Sequence, residues 1–467
     1  MNISLTERAN LYSKATRLVE VDSVVQFEIP MHPNHEFFVD FSDVRGEFEE
    51  KAVYKALNIS PEDFTYNYKV NADNKTLLFL AGMRGSGKTS ELLKIIEKLN
   101  SEKAFFCVFC SLDVGLDIND MEYMDILVFQ LERLFEELQD RKVEVNNAII
   151  ESMQTWFSQR INEVNHLIRQ SEGFELEIKA GTPSLMSFLG IMAKVKTGLL
   201  GTRDNADKIR TVLKNNFSDF VLKINDFFNH VNDVLRQQKV AQELLFVVDG
   251  LEKVATKNER MEIVDNEAGR MRQVKTNTIF TLPIELMQLQ RKLEAFSTIV
   301  SFPFVKVKGR NGNLVQEAIQ RFEEFVYKRI DISLFDKAET VQKAIMYSGG
   351  SPRELLRILQ YANIYADDKK GFIDEIAMNK AITKLAAQSS HYVSQGNLNN
   401  LKTLKQNNDN DVPTAYDEEW QDLFEKLLIM NYNSGSYKRV NPIIEVSKLY
   451  QHYVLNPLET SVSATSI

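Results

Sequence analysis

The feature that most restricts the fold of this chain is a glycine-rich turn between an apolar run and a helix. The run TLLFLA (76–81) has the composition of a strand that is buried on both faces. GMRGSGKT (82–89) follows it and satisfies the spacing G-x-x-x-x-G-K-[ST] in full. The next helix has an apolar face made of Leu92, Leu93, Ile95, Ile96 and Leu99. A strand, this turn and a helix in that order predict a loop that encloses phosphate groups.

The residues of this turn have distinct physical roles in binding a phosphate chain. Gly82, Gly85 and Gly87 allow the backbone to fold around an anion with its N–H groups turned inward. The helix that begins near Lys88 adds the partial positive charge of its first turn. Lys88 is expected to reach the outer phosphates, and the Thr89 hydroxyl to ligate Mg²⁺. The residues predicted to bind ATP are Gly82, Arg84, Gly85, Ser86, Gly87, Lys88, Thr89 and Ser90.

A second apolar run, LLFVV (244–248), ends in Asp249 and continues as DGLEK. The Asp249 carboxylate is expected to face the phosphate loop and to hold Mg²⁺, commonly through water. Glu252 is the nearest second acid, and we interpret it either as the base that activates water or as a solvated acid at a helix start. Many P-loop ATPases have a glutamate directly after the aspartate, where this chain has Gly250. The identity of the catalytic base is therefore open.

The segment SGGSPRELLRIL (348–359) is the third signal. Pro352 suits the first turn of a helix. Arg353 follows it at the helix start, where a lone positive charge opposes the helix dipole. That placement predicts that Arg353 points at the γ-phosphate of a bound nucleotide, with an ordinary surface arginine as the alternative.

Further candidates carry weaker signals. Thr281, at the end of its strand, is either a polar sensor of the γ-phosphate or a core threonine. Arg45 is expected to lie near the adenine edge or to pair with Asp43. The candidates for an arginine finger acting in trans, or else ordinary helix-surface residues, are Arg270, Arg272 and Arg291.

The order of the segments predicts an α/β fold with a mostly parallel sheet. The strand candidates are 76–81, 104–110, 244–248, 278–282 and 298–305, with a further strand-like run, HEFFVDF, before them. The fold class is a P-loop NTPase sheet with a long helical insertion, an all-α lid and a C-terminal winged-helix-like module. The predicted organisation is a lead-in at 1–74, an ATPase core at 75–310 with the insertion at about 116–240, a helical lid at 311–395, a linker at 396–415, a winged-helix-like domain at 416–457 and a disordered tail at 458–467.

Composition limits the partners and the compartment. The net charge of −9 argues against binding that depends on non-specific contact with nucleic acid, unless a local patch such as Lys438 and Arg439 supplies it. Cys107 and Cys110 cannot form a four-ligand zinc site, and their apolar surroundings indicate reduced thiols in a buried strand. Lysines interrupt the most apolar stretch, 183–200, so we expect no membrane span and a cytoplasmic protein.

These motifs resemble those of the AAA+ and STAND superclass of P-loop ATPases. The matching pieces are GMRGSGKTS, FVVDGLEK, TIFTLP and GGSPRELLRIL followed by the winged-helix-like end. The resemblance implies that Lys88 and Thr89 carry phosphate and Mg²⁺, that Asp249 is the Walker B acid, and that Arg353 is the sensor-2 arginine of the origin-recognition branch. FVDFSDVRGEF and WQDLFEKLLIMNYNSGSYKRVNPII are also similar to segments of prokaryotic ATPases that often belong to anti-phage systems. The likeness extends over roughly 36–455.

The sequence leaves three functions to weigh. The favoured one is a regulatory ATPase that forms a homo-oligomer with ATP and controls a protein effector in anti-phage defence or signalling. It is favoured because no nuclease, protease or deaminase motif accompanies the ATP site. The alternatives are a DNA-binding ATPase of the replication-initiator or transposition type, which would use the C-terminal module, and a scaffold that binds ATP without hydrolysing it.

Overall fold

A computed structural model describes residues 13–46, 48–67, 75–169, 184–406, 418–432 and 437–455. The strands are β1 (Leu77–Gly82), β2 (Phe105–Ser111), β3 (Glu243–Asp249), β4 (Asn277–Pro283), β5 (Thr298–Ser301), β6 (Ile429–Tyr432) and β7 (Tyr437–Val440). The helices are α1 (Leu18–Val24), α2 (Glu50–Ala56), α3 (Lys88–Ser101), α4 (Leu112–Gly115), α5 (Tyr123–Asp140), α6 (Asn147–Arg169), α7 (Leu185–Leu199), α8 (Arg203–Asn215), α9 (Phe217–Gln237), α10 (Lys257–Met261), α11 (Ala268–Met271), α12 (Gln290–Leu293), α13 (Gln316–Arg329), α14 (Ala338–Tyr347), α15 (Pro352–Ile364), α16 (Glu375–Ser389), α17 (Gln395–Gln406), α18 (Glu418–Glu425), α19 (Pro442–Val446) and α20 (Lys448–Tyr450).

The first five strands form one parallel sheet in the order β2-β3-β4-β1-β5. Both faces are covered, which explains why the strands read as continuous apolar runs. Leu78 and Leu245 pack with α2 and α3 on one face, while Phe79 and Phe246 join the helical insertion on the other. The predicted α/β P-loop NTPase fold is confirmed.

The helical insertion predicted at about 116–240 consists, in the described residues, of α5 to α9 between β2 and β3. Its core contains stacked rings of Phe135 and Phe227, whose centroids lie 4.8 Å apart. The apolar stretch 183–200 forms α7, whose Phe188 and Met192 are buried in this core. Among the described helices, none is both long and apolar enough to cross a membrane.

The lid contains the predicted helices, α13 to α16, and the lead-in packs against them. Phe37, Val39 and Phe41 are buried at alternate positions, as in a strand. Their backbone forms no strand, so the strand interpretation of HEFFVDF is wrong. The reason is the packing: Phe41 contacts Phe322 of α13, with ring centroids 4.7 Å apart, and the extended segment lies on helices instead of beside another strand.

Two boundaries differ from the sequence prediction. The strand expected at 298–305 ends at Ser301 as β5, close to Pro303, which has no N–H to offer a neighbouring strand. Residues 396–406 of the expected linker lie within helix α17. Leu398, Leu401 and Leu404 are buried at helical spacing. The many polar residues between them made the segment resemble a linker. The rest of the expected linker, 407–415, and the expected tail at 458–467 lie outside the described residues.

The C-terminal part contains the predicted hairpin, since β6 and β7 pair antiparallel. α17 and α18 pack against this hairpin around Trp420, Leu423 and Met430. The arrangement of helices around a hairpin agrees with the expected elements, and the winged-helix assignment itself remains a prediction.

Helix α17 gives a test of this correction. We expect Leu401→Ala to lower the free energy of unfolding of the C-terminal part by about 2–5 kcal/mol, because a buried leucine is removed. Urea denaturation followed by Trp420 fluorescence, in a Trp156→Phe background, measures it. The exposed Lys405→Ala on the same helix should change little. Equal losses from the two variants would mean that α17 is not packed as described.

Candidate nucleotide-binding site

The predicted phosphate loop lies at the carboxyl end of β1, immediately before α3. Gly85 and Gly87 have φ values of +81° and +95°, a conformation that favours glycine and forms an anion-binding turn of backbone N–H groups. The buried Lys88 donates from Nζ to the carbonyl oxygens of Gly82, at 2.8 Å, and Met83, at 3.0 Å. The ammonium group is therefore held over the loop, as an outer-phosphate ligand must be. The buried Ser86 Oγ has no hydrogen-bond partner.

Asp249, at the end of β3, meets the phosphate loop through Thr89. The Thr89 hydroxyl donates to Asp249 Oδ2 at 2.7 Å. Asp249 is 1% exposed, and its Oδ1 is buried without a hydrogen-bond partner. Burial raises the pKa of Asp249 to about 6, and the neighbouring charge of Glu252 adds to the rise. The Thr89 hydroxyl and the Asp249 carboxylate fit Mg²⁺, because this ion prefers oxygen ligands. A bound Mg²⁺ would also be a partner for the unsatisfied Asp249 Oδ1.

Glu252 and Thr281 are joined beside Asp249 by the chain reversal at Gly250. Gly250 has a φ of +107°, and its N–H donates to Thr281 Oγ1 at 3.0 Å. Thr281 in turn donates to Glu252 Oε2 at 3.3 Å. Burial raises the pKa of Glu252, but the charges of Lys88 and Lys253 outweigh it and hold the pKa below its ordinary value. Glu252 is thus an ionised, oriented carboxylate at the site.

The start of lid helix α15 packs directly on the phosphate loop. The Ser351 hydroxyl donates to Gly85 O at 3.1 Å and accepts the N–H of Glu354, which caps the helix. A Cβ on Gly85 would lie 3.0 Å from the Cβ of Arg353, so the close approach itself favours glycine. The Arg353 guanidinium donates to Glu28 at 3.1 Å. Arg353 thus lies beside the phosphate loop with its guanidinium on Glu28, and its predicted contact with the γ-phosphate stays a prediction.

A cavity of about 450 Å³ lies between these core and lid residues. Its polar lining includes Lys88, Thr89, Asp249, Glu252 and Arg353. Its apolar lining includes Phe27, Met31, Phe41, Phe325 and Leu356. The lead-in is tied to α3 here, since the N–H of Met31 donates to Ser90 Oγ at 3.0 Å. A charged wall and an apolar wall in one cavity suit a ligand with a polyanionic tail and a flat base.

Two buried arginines, Arg45 and Arg329, line the cavity. Arg45 is buried and donates to the carbonyl oxygens of Ser86 and Pro303, each at 2.9 Å, so it supports the loop. Of its two predicted positions, the pairing with Asp43 is not formed, because Arg321 pairs with that carboxylate. Arg45 lines the cavity, and a place near the adenine edge stays a prediction. Arg329 lines the same cavity, but an arginine in the last turn of a helix looked ordinary in the sequence.

Arg329 is buried in an apolar environment. Its Nη1 donates to the carbonyl oxygens of Phe37 and Phe325, each at 2.9 Å, and its guanidinium lies 3.8 Å from the centre of the Phe325 ring. Burial lowers its pKa to about 9. These contacts join the lead-in to the lid at the apolar end of the cavity.

The side chains of the remaining predicted site residues do not line the cavity. Arg84 belongs to the loop, but its side chain is exposed. The cavity lining contains none of the finger candidates Arg270, Arg272 and Arg291. Arg270 pairs with Glu267, and Arg272 lies at the opposite end of the sheet. Their action in trans remains a prediction.

The raised pKa of Asp249 predicts a pH-dependent effect of its removal. The pKa rises from 3.8 in the unfolded chain to about 6, so the ionised carboxylate destabilises the ligand-free fold as the pH rises through 6. We expect the stability gained by Asp249→Asn to be larger at pH 8 than at pH 5, by about 1–2 kcal/mol. Urea denaturation at the two pH values measures it. The exposed Asp226→Asn is the control, and a gain independent of pH would contradict the burial of this charge.

No family model and no curated protein matches the chain. Similar solved structures include the Walker-type ATPase Paby2304 of Pyrococcus abyssi, with 12% identity and a TM-score of 0.40 over 89% of this chain and 97% of that one. Cdc6p from Pyrobaculum aerophilum has 10% identity and a TM-score of 0.33 over 90% of this chain and 97% of its own. At such scores, the assignment rests on the chain's own strand order, phosphate loop and lid. On these features, the chain has the fold of a P-loop NTPase.

Proposed function

We propose that this protein binds and hydrolyses ATP with Mg²⁺ and that its lid reports the state of the nucleotide. The observation that carries the proposal is the Thr89–Asp249 hydrogen bond beside Lys88, with Asp249 Oδ1 buried and unsatisfied. A merely structural aspartate would have partners for both oxygens. In this protein, Asp249 Oδ1 has no hydrogen-bond partner and lies next to a loop that is suited to bind phosphate.

Each residue of the site has a separate role in the proposed transfer of the γ-phosphoryl group to water. Lys88 and the loop N–H groups hold the phosphate chain, while Thr89 and Asp249 would hold Mg²⁺. When bound, this ion supplies charge neutralisation at the outer phosphates. Glu252, kept ionised by nearby positive charges, accepts a proton from the attacking water. Arg353 stabilises the negative charge at the γ-phosphate from the lid side.

The short turn at Leu251–Lys253 supports hydrolysis over a purely binding role. Gly250 occupies the position where the base is usual, but its left-handed conformation starts a turn that returns Glu252 to the site. Thr281 then orients this carboxylate at 3.3 Å. A scaffold that only binds ATP would not need an acid held in this way.

The regulatory part of the proposal rests on the contacts of the lid. Ser351 and Arg353 connect α15 to the phosphate loop and to Glu28 of the lead-in. A bound γ-phosphate would compete with Glu28 for Arg353, which makes the lid position depend on the nucleotide. Assembly into a homo-oligomer that controls an effector in cytoplasmic anti-phage defence or signalling follows from the family resemblance. Lys438 and Arg439 are half-buried in β7, so DNA binding gains no support from their placement.

Removal of the loop lysine tests nucleotide binding. We expect Lys88→Ala to weaken Mg-ATP binding at least about a hundredfold, because a buried charge-assisted contact is lost. Isothermal titration calorimetry measures it, with Lys98→Ala on the exposed side of the same helix as the control. Equal affinity in the two variants would refute the proposed site.

The same pair of variants tests regulation. Size-exclusion chromatography with and without Mg-ATP should show a larger species for the unmodified protein and for Lys98→Ala only. Profiles that are identical for all three proteins would count against assembly by nucleotide, while leaving the binding result intact.

Substitution of the proposed base separates binding from turnover. We expect Glu252→Gln to lower kcat by about 10²–10⁴-fold with Mg-ATP affinity nearly unchanged, because only proton transfer is lost. A steady-state phosphate-release assay and calorimetry measure the two quantities, and Glu262→Gln on the exposed face nearby is the control. Full turnover in Glu252→Gln would assign the base elsewhere. Absence of turnover in the unmodified protein would favour the scaffold.

A further inference from the structure

A second cavity, of about 310 Å³, lies at the end of the sheet opposite the phosphate loop. It borders Leu77, the first residue of β1, and Thr278, near the start of β4. The phosphate loop follows the last residue of β1, so the length of the strand separates the two sites. Within the described part of the chain, no residue lines both cavities.

Buried polar groups without partners line this second cavity. Tyr123, Gln130 and Thr276 are only 3%, 4% and 5% exposed. None of their side chains makes a hydrogen bond with the described part of the protein, and Thr276 Oγ1 is wholly enclosed. Buried polar groups normally have partners, because an unmade hydrogen bond is costly. At this cavity, Thr276 Oγ1 is an enclosed polar atom whose hydrogen bond no described residue supplies, and the polar groups of Tyr123 and Gln130 are available beside it.

The charged side chains of the second cavity indicate the charge of a ligand that it could bind. Among the residues that the structure describes, its lining includes Lys75, Arg272 and Lys275 and contains no aspartate or glutamate. Arg272 and Lys275 are exposed at the mouth, and Lys75 is held further in by an ion pair with Glu243 at 3.0 Å. A purely basic lining in a chain of net charge −9 is a local departure from the average. It favours a ligand that carries negative charge.

The walls of the cavity are fixed in place before any ligand arrives. Asn225 of α9 donates to the carbonyl oxygen of Gln273 at 2.8 Å and accepts the N–H of Lys275 at 2.7 Å. These two bonds clamp the turn that carries the basic mouth. The guanidinium of Arg272 lies over the ring of Phe296, 5.7 Å from its centre. A site organised in this way loses little entropy on binding.

We propose that this second cavity binds a small organic anion, of mononucleotide size or less, that carries a phosphate or carboxylate group. The anionic group meets Arg272 and Lys275 at the mouth. The polar part of the ligand meets Tyr123, Gln130 and Thr276, while Phe280 and Phe296 provide an apolar face. The volume is at the lower end of the range for ligand sites, which excludes larger molecules. The proposal does not depend on ATP hydrolysis at the phosphate loop.

The test uses the full chain with Lys88→Ala, so that the phosphate-loop site is disabled. The probes are AMP, inorganic phosphate and citrate. Their binding is measured by the shift in melting temperature of the protein and by isothermal titration calorimetry. We expect at least one probe to bind, and Arg272→Glu/Lys275→Glu to weaken it at least about tenfold, since two charge-assisted contacts become repulsive. Lys380→Glu/Lys384→Glu makes the same charge change on exposed α16 and should have no effect.

A second variant reports on the buried wall. Tyr123→Phe removes an unpartnered hydroxyl, so the ligand-free protein should keep or gain thermal stability while its response to the probe falls. A response to AMP alone assigns a nucleotide, a response to phosphate assigns a phosphate group, and a response to citrate assigns a carboxylate. The proposal is overturned if no probe binds, or if the mouth variant and the α16 control respond equally. Failure of the phosphate-loop site would appear separately, as unchanged ATP binding in Lys88→Ala.

Discussion

The hydrogen bond from Thr89 to Asp249 is the contact on which the arrangement of the site depends, because it joins two strands that are not neighbours. β4 lies between β1 and β3, so the phosphate loop and the acidic strand end approach each other across an intervening strand. That strand contributes Thr281, which binds both the N–H of Gly250 and the carboxylate of Glu252. The strand order thus places the Thr89 hydroxyl and the carboxylates of Asp249 and Glu252 at one edge of the sheet.

The phosphate loop is held through its carbonyl oxygens from several directions. Lys88 binds the oxygen of Gly82, Ser351 binds that of Gly85, and Arg45 binds that of Ser86. One of these donors belongs to the lid and one to the segment before the sheet, so the loop cannot change shape without affecting both. Glu28 balances the charge of Arg353 in the meantime. Under the proposed function, a γ-phosphate and Glu28 would compete for this guanidinium, which would make the lid position depend on the nucleotide.

Sequence patterns predicted the parts of the fold in which neighbouring residues along the chain determine the structure. The loop spacing fixed Lys88 and Thr89, and an apolar run ending in an acid fixed Asp249. α17 was missed because three leucines among asparagines and lysines give a weak periodic signal. The cavity wall built from Phe27, Met31 and Arg329 was missed for a different reason. These residues come from distant parts of the chain, and only tertiary packing between the lead-in and the lid brings them to the nucleotide site.

The two cavities share strands, which gives them a physical connection that separate surface sites would lack. β1 starts at the basic cavity with Leu77 and ends at the phosphate loop, and β4 carries Thr278 at one site and Thr281 at the other. Both strands are hydrogen-bonded along their length to each other. Energetic coupling between sites needs a shared element whose position both ligands bias. The strand pair is buried on both faces, so the two strands that border the basic cavity also position the phosphate loop and, through Thr281, the carboxylate of Glu252.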